Sequence, residues 1–329
     1  MNSIAFFNNK GGVGKTSLVY HLAWMFALKG IEVVVADLDP QANLTSMFLE
    51  DERLLEIWKS GASNTILDYL QPLIDGSGDI KTFDLDPIHS NLHFIAGNLG
   101  LTLFEDSLSE NWAKCLGGDA RAFRVMTAFY RIISQASSLV NAQLVLLDVA
   151  PSLGAINRSA LIAANQVIFP LAPDLFSLQG LKNLGPTLNN WRIEWNKRLK
   201  EVPHTLDIPM PAGEMNPMGY VVMQFGVRDN RPVKAYELFL NQIPNTFHNV
   251  VLGDSTQSLI KPNEDPYQLI QLKHYRSLMP LAIKARKPMF LLTAADGAIG
   301  AHLEAVRRCY EDFEQLAQII ASKSGMAFS

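Results

Sequence analysis

At 329 residues with 48% apolar side chains, the chain is long enough to bury one large core or two smaller ones. A formal net charge of −4 excludes a uniformly basic nucleic-acid binder, and only two cysteines, Cys115 and Cys309, exclude a disulfide framework or a cysteine-rich metal site. No apolar run reaches membrane-spanning length, no basic leader precedes the first apolar run, and the cysteine usage suits a reducing cytoplasm.

Taken in chain order, Ile4-Ala5-Phe6-Phe7 predicts a strand and Ser17–Leu28 a helix. Between them lies Asn9-Lys10-Gly11-Gly12-Val13-Gly14-Lys15-Thr16. A strand, a glycine-rich turn, Lys-Thr and a helix make a phosphate-binding loop. The glycines let successive N–H groups curl toward one anion, and the helix N-terminus adds its partial positive charge. Lys15 is placed to reach the β- and γ-phosphates of a nucleoside triphosphate, and Thr16 to ligate Mg²⁺. Gly11, Gly12, Val13, Gly14, Lys15, Thr16 and Ser17 are the candidate binding residues. The general pattern has Gly at position 9; Asn9 stands here, followed by a second lysine, Lys10.

Ile31–Ala36 predicts the second strand, apolar throughout most of its length as in a parallel sheet. It runs into Asp37-Leu38-Asp39-Pro40-Gln41-Ala42-Asn43. Carboxylates at the C-terminal end of a parallel strand face the ligand crevice. One of the pair can hold Mg²⁺ through its water shell, and the other can orient and polarise an attacking water. Residues 50–120 carry 13 acidic and 4 basic side chains, an acidic stretch in which Asn91–Ala96 predicts a strand. Helical patterns follow at 119–140, 154–165, 176–200, 233–247 and about 301–321. Between them Leu144–Leu147, Gln166–Pro170 and Tyr220–Gln224 predict strands. Leu144–Leu147 ends in Asp148-Val149-Ala150-Pro151-Ser152-Leu153-Gly154, where four apolar residues and an Asp match the carboxylate that helps hold Mg²⁺ in phosphate-loop enzymes. Residues 261–287 hold six basic side chains, among them Lys273, Arg276, Lys284, Arg286 and Lys287, against Glu264 and Asp265. That is a candidate patch for DNA phosphates.

Strands alternating with helices predict an α/β fold: a doubly wound, mostly parallel sheet with helices on both faces, in one domain spanning 1–329. Stretches without clear periodicity, about 50–90 and 186–218, read as surface insertions. A C-terminal helix at about 301–321 is acidic on its polar side, which favours packing onto the domain over a membrane surface.

With three motifs in this order, the chain resembles the ParA/MinD family of deviant-loop ATPases, on the ParA side. The resemblance rests on Lys10–Thr16, Asp37–Asn43 and Asp148–Gly154, with looser likeness at Asn157–Leu161, Ser177–Leu181, Gly219–Arg228 and Tyr275–Pro288. It implies ATP and Mg²⁺ as cofactors and a sandwich homodimer closed by ATP. In it Lys10 crosses to the partner's γ-phosphate while Lys15 acts within its own subunit. It implies that hydrolysis depends on Asp39, that Asp37 and Asp148 lie near Mg²⁺, that Gln224 lies near the adenine, and that Arg228 lines the dimer or DNA face. The chain departs from the family at Met223-Gln224 and Gly226. The implied activity is slow ATP hydrolysis stimulated by a ParB-like or other partner. The implied setting is the cytoplasm, with nucleoid association through non-specific DNA. Other outputs of the same switch are a protein assembly or defence system as cargo, or membrane positioning of the MinD kind.

Overall fold

The computed structural model describes residues 1–59, 64–82, 84–223, 233–254, 260–275 and 277–328; for 233–236 it describes the backbone only. The chain opens with β1 (Asn2–Phe6), α1 (Lys15–Leu28), β2 (Val33–Leu38), α2 (Asn43–Phe48), α3 (Asp51–Trp58) and α4 (Ile66–Asp75). It continues through β3 (Asp86–His89), β4 (Leu92–Ile95), α5 (Leu103–Lys114), α6 (Ala120–Met126), α7 (Ala128–Val140), β5 (Leu144–Val149) and α8 (Ala155–Ile162). The last part holds β6 (Gln166–Leu171), α9 (Leu175–Leu199), β7 (Asn216–Met223), α10 (Val233–Phe247), β8 (Gln268–Leu272), α11 (Met279–Ala285) and α12 (Ala301–Lys323).

The strands form one sheet in the order β3-β4-β2-β5-β1-β6-β7-β8. Every pairing is parallel except β3 with β4. The fold is therefore a single α/β domain with a mostly parallel, doubly wound sheet. Strand periodicity sends alternate residues to opposite faces. Ala5, Val34, Ala36, Val145 and Leu147 join one core with α4 to α9. Ile4, Phe6, Val33, Val35 and Leu146 join the other with α1, α11 and α12. Both faces being covered, β2 and β5 are buried at every residue.

The expected strands occur, with their ends shifted by up to four residues, and the expected helix 119–140 is divided at Thr127 into α6 and α7. The edge strands β3 and β8 lack a sequence signal, β3 because it carries Asp86 and Pro87, which suit only an edge. Residues 50–90 hold α3, α4 and β3, with Ile66, Tyr69, Leu70 and Leu73 in the core. Residues 186–199 continue α9, and only 200–215 form an irregular connection.

Gly185 marks the tightest approach. A Cβ there would lie 1.9 Å from the Val250 carbonyl oxygen. Helix propensity alone favours Gly185→Ala by about 1 kcal/mol. Overpacking against backbone costs about 1–3 kcal/mol or more. The clash wins, so Gly185→Ala should lower the unfolding free energy by about 1–2 kcal/mol in a urea titration.

Candidate functional site

The parallel sheet brings the three sequence motifs to one edge. Asp37 of β2 pairs in register with Asp148 of β5, and Phe6 of β1 flanks Asp148 from the other side. The glycine-rich loop springs from β1 directly above. Its first turn is pinned by Asn8, fully buried, which donates to the Pro170 carbonyl at 2.6 Å and accepts from the Lys10 amide at 2.9 Å. Gly12 and Gly14 have φ of 73° and 89°, where a side chain would be strained. Gly14 is the N-cap of α1 and no side chain caps the helix, leaving its first amides for an anion.

Lys15 is buried. Its ammonium donates to Asp148 Oδ1 at 3.1 Å and to the Val149 carbonyl, and lies 4.0 Å from Asp39 Oδ2. Asp37 has both oxygens engaged. Oδ2 accepts from the Thr45 amide at 2.9 Å and the Thr45 hydroxyl at 2.7 Å, and Oδ1 from the Asp39 amide at 3.2 Å. The Thr45 hydroxyl accepts in turn from the Gly97 amide at 2.8 Å, joining the switch loop to the end of β4. A Cβ on Gly97 would press on Asp37 Cγ at 2.9 Å. Asp39 Oδ1 accepts from the Gln41 amide at 2.9 Å, and Ala42 at the end of that turn has a φ of 50°, a strained value for a non-glycine residue.

Two of these carboxyls resist ionisation. Burial, then the Asp148 charge, pushes Asp37 up to about 7, against the pull of Thr45 and the Asp39 amide. Burial raises Asp148 as well, partly offset by Lys15 and Thr16. Among the described residues, buried Asp148 Oδ2 has no hydrogen-bond partner. An orphaned carboxylate oxygen beside two further aspartates and one lysine fits a divalent cation. Among the described residues no three His, Cys, Asp or Glu side chains converge as a self-sufficient metal cage. Thr16, Asp148 or their waters, and phosphate oxygens are thus the donors that Mg²⁺ would use, and it would neutralise charge there. Asp37 is committed to Thr45 and supports that set from behind.

The loop after Asp148 is clamped twice. Asn157 accepts from the Ala150 amide at 3.1 Å and donates to the Ala150 and Ser152 carbonyls at 2.5 and 2.7 Å. Glu105 of α5 accepts from the Ala155 and Ile156 amides at 2.5 and 2.9 Å, capping α8. Lys10 points elsewhere, into an ion pair with Asp174 and toward the Phe176 ring, 5.6 Å from its centroid. Asp174 is the N-cap of α9 through the Ser177 amide. Asn8, Thr45, Glu105 and Asn157 were not singled out from sequence. Asn8, Thr45 and Glu105 reach partners 162, 8 and 51 positions away, and Asn157 folds back seven positions onto its own loop, so no motif spacing announces them.

The basic candidates separate. Lys273 and Lys284 are exposed. Arg286 donates to the Leu49 carbonyl at 2.8 Å and pairs with Asp51, while Lys287 meets both Asp296 oxygens at 3.0 Å. Gln224, Gly226, Arg228 and Arg276 lie outside the described residues.

A glycine-rich loop on a parallel sheet, with a buried lysine and facing strand-end carboxylates, defines a P-loop nucleotide-binding protein. A family model described as an AAA domain matches residues 1–201. The chain belongs to that family, among the ATPases of the ParA/MinD type. Its relatives include a putative replication protein A of Rhizobium rhizogenes, 31% identical over 180 residues, 54% of this chain and 42% of that one. The cell division protein PomZ of Myxococcus xanthus is 30% identical over 197 residues, 60% of this chain and 54% of that one. The chain thus spans about half the length of these relatives. Among solved structures, protein DIP2308 of Corynebacterium diphtheriae superposes with a TM-score of 0.69 at 22% identity over 98% of each chain. An ATP complex of a Cyanothece McdA variant does so with a TM-score of 0.63 at 14% identity, over 100% of this chain and 98% of that one. These likenesses show the fold.

A pH effect follows from the facing aspartates. Asp37 titrates higher folded than unfolded, so its contribution is destabilising once it ionises, and stability falls as pH rises through 7. Buried His21, held down to about 4, acts oppositely: stability falls as pH drops from about 6.5 toward 4. Between pH 6.5 and 8 the remaining slope should come from the facing Asp37 and Asp148 carboxyls, about 1 kcal/mol in the nucleotide-free protein. Thermal melts should show it, Asp37→Asn should flatten it, and millimolar Mg²⁺ should raise Tm more at pH 8 than at pH 6.5.

Proposed function

We propose that the chain is an ATP-operated switch of the ParA type. It binds ATP with Mg²⁺ on the 9–16 loop, closes as a homodimer, hydrolyses ATP slowly, and partitions or positions DNA cargo with a ParB-like or other activating partner. The observation that carries this is the pair of lysines on one loop. Lys15 is locked among Asp39, Asp148 and the Val149 carbonyl, whereas Lys10 projects to the rim and is held by a single partly exposed carboxylate. A surface ion pair of that kind contributes about 0–1 kcal/mol, little enough for Lys10 to exchange Asp174 for a phosphate of a second subunit. Asp39 is the carboxylate placed to orient water, with Lys10 and Lys15 offsetting phosphate charge. The chain shows no arginine in this site among the described residues, which supports activation in trans.

Two outputs compete. DNA binding through Lys273 and Lys284 is supported by their exposure, with Arg276 outside the described residues and Arg286 and Lys287 engaged by carboxylates. A protein cargo instead of DNA draws support from exposed Leu55 and Trp58 on acidic α3. Membrane positioning lacks support. The apolar face of α12, including Val306, Phe313 and Ile320, is in the core, and no described helix is long and apolar enough to cross a membrane.

Size-exclusion chromatography with light scattering should show a monomer with ADP and a dimer with ATP and Mg²⁺. Asp39→Ala should accumulate the dimer while phosphate release falls at least about tenfold. Lys10→Ala should retain ATP binding yet stay monomeric; an ATP-dependent dimer of Lys10→Ala would contradict the reading. Anisotropy with a random duplex at low salt should show ATP-dependent binding that Lys273→Ala with Lys284→Ala weakens, each phosphate contact steepening the salt dependence.

A further inference from the structure

Helix α3 has two unlike faces. Leu54 and Ile57 are buried in the core shared with α1. Leu55 and Trp58, three positions apart and so neighbours on the helix surface, are 51% and 62% exposed. Around them Glu50, Asp51, Glu52 and Glu56 are exposed as well. Arg53 is drawn aside, donating to Asp86 at 3.1 Å and to Glu56 at 3.4 Å, and Arg286 pairs with Asp51. The carboxylates outnumber these two arginines and Lys59, so an apolar pair stands in an acidic rim.

Only Leu49 and Glu50 separate α3 from α2, whose Thr45 amide and hydroxyl hold Asp37 at 2.9 and 2.7 Å. The Leu49 amide donates to the Thr45 carbonyl at 3.0 Å, and the Glu50 carbonyl accepts from the Leu54 amide at 2.9 Å. Leu44, Leu49 and Leu54 are buried, so this stretch is packed as well as bonded. Arg286 holds it from outside, donating to the Leu49 carbonyl at 2.8 Å with the same guanidinium that meets Asp51. A cation arriving at Asp51 therefore competes with Arg286, and the Leu49 carbonyl loses its clamp. A movement of α3 is passed to Thr45, and through Thr45 to Asp37.

Resting on the activating-partner reading above, we infer that the outer face of α3 docks a basic, apolar-anchored segment of that partner, and that its arrival is passed to Asp37 through Leu49 and Thr45. Charge selects the occupant. The carboxylate rim repels nucleic-acid phosphate and anionic lipid, and it repels the same acidic face of a second copy. It attracts Lys and Arg, whose cations also stack on the face of Trp58, while an apolar side chain of the partner fits against Leu55. Tryptophan is a residue type on which such contacts concentrate their energy. The 8 residues of α3 are fewer than the roughly 20–30 a side of a standard interface, so the contact is short-lived, about micromolar, and weakened by salt.

The test uses the full nucleotide-free chain and the anisotropy of three labelled probes: a Lys/Leu amphipathic peptide, its Glu/Leu counterpart and oligolysine. The Lys/Leu peptide should bind at about micromolar affinity, and the other two at least about tenfold more weakly. Trp58→Ala, and Glu52→Gln combined with Glu56→Gln, should each weaken it about fivefold while Tm holds, because these side chains are exposed. Amide hydrogen exchange at Thr45 and Leu49 should quicken with the peptide bound, and Arg286→Ala should quicken it without peptide. Equal binding of oligolysine would reveal attraction by charge alone, and unchanged affinity in both variants would put the peptide elsewhere; either overturns the inference. So would displacement of the peptide by a random duplex, or self-association of the chain that Trp58→Ala abolishes. Binding with exchange unchanged would overturn the route to Asp37. No step needs nucleotide, so the two readings fail separately. Peptide binding without ATP binding sinks the ATP switch, and ATP binding without peptide binding sinks only this docking surface.

Discussion

The register of β2 against β5 sets Asp37 opposite Asp148 inside a sheet covered on both faces. Burying two like charges side by side is costly, several kcal/mol for each ion before compensation. The molecule answers with a lysine from the phosphate loop, a threonine and backbone amides from the switch turn, and one carboxylate oxygen left without a partner. Those answers fix where the loops must lie. The charge that stays uncompensated is what a divalent cation would neutralise there.

This arrangement divides the site into a rigid and a loose part. Lys15, Asp37, Asp148 and Asn157 are buried, and each side chain makes hydrogen bonds or ion pairs, as buried polar groups must. Asn8 and Glu105 hold the two loops from outside the motifs. Lys10 is the exception, joined to Asp174 at the rim. Electrostatic catalysis needs preorganised charge, whereas assembly control needs a charge that can change partners. The two lysines of one loop differ in this respect: Lys15 is buried among carboxylates, and Lys10 stands at the rim.

The phosphate loop and both aspartate motifs were legible in sequence because their chemistry is local: glycines for curvature, lysine and threonine beside them, carboxylates ending apolar strands. The sheet was legible where strands are uniformly apolar and faded at the edges, where β3 carries Asp86 and Pro87. Glu105 was hidden, since a helix cap offered by a helix about fifty residues earlier leaves no spacing to read. The basic stretch shows a related limit. Six cations near one another in sequence form one patch only if tertiary neighbours leave them free, and Asp51 and Asp296 take two of them. Asp37 shows what motif reading leaves out: the sequence places it at the end of its strand, and the structure adds that both its oxygens are engaged, by Thr45 and the Asp39 amide.

The two halves of the chain carry different burdens. The glycine-rich loop and the facing aspartates lie on β1, α1, β2 and β5, all within the first 150 residues and within the matched family stretch. The last third of the chain supplies β7, β8 and α12, and is joined to α1 through His21. Phosphate binding depends on backbone amides and a helix end, which any sequence with the right glycines supplies. Contacts made by side chains depend on their shape and need their own sequence. A chain can therefore share the phosphate machinery of its relatives at 28–31% identity and still differ in whatever the C-terminal third contacts. Helix α12 is tied to the phosphate-loop helix through Phe313 stacked on His21, so a change in the C-terminal third can reach α1 through packing alone.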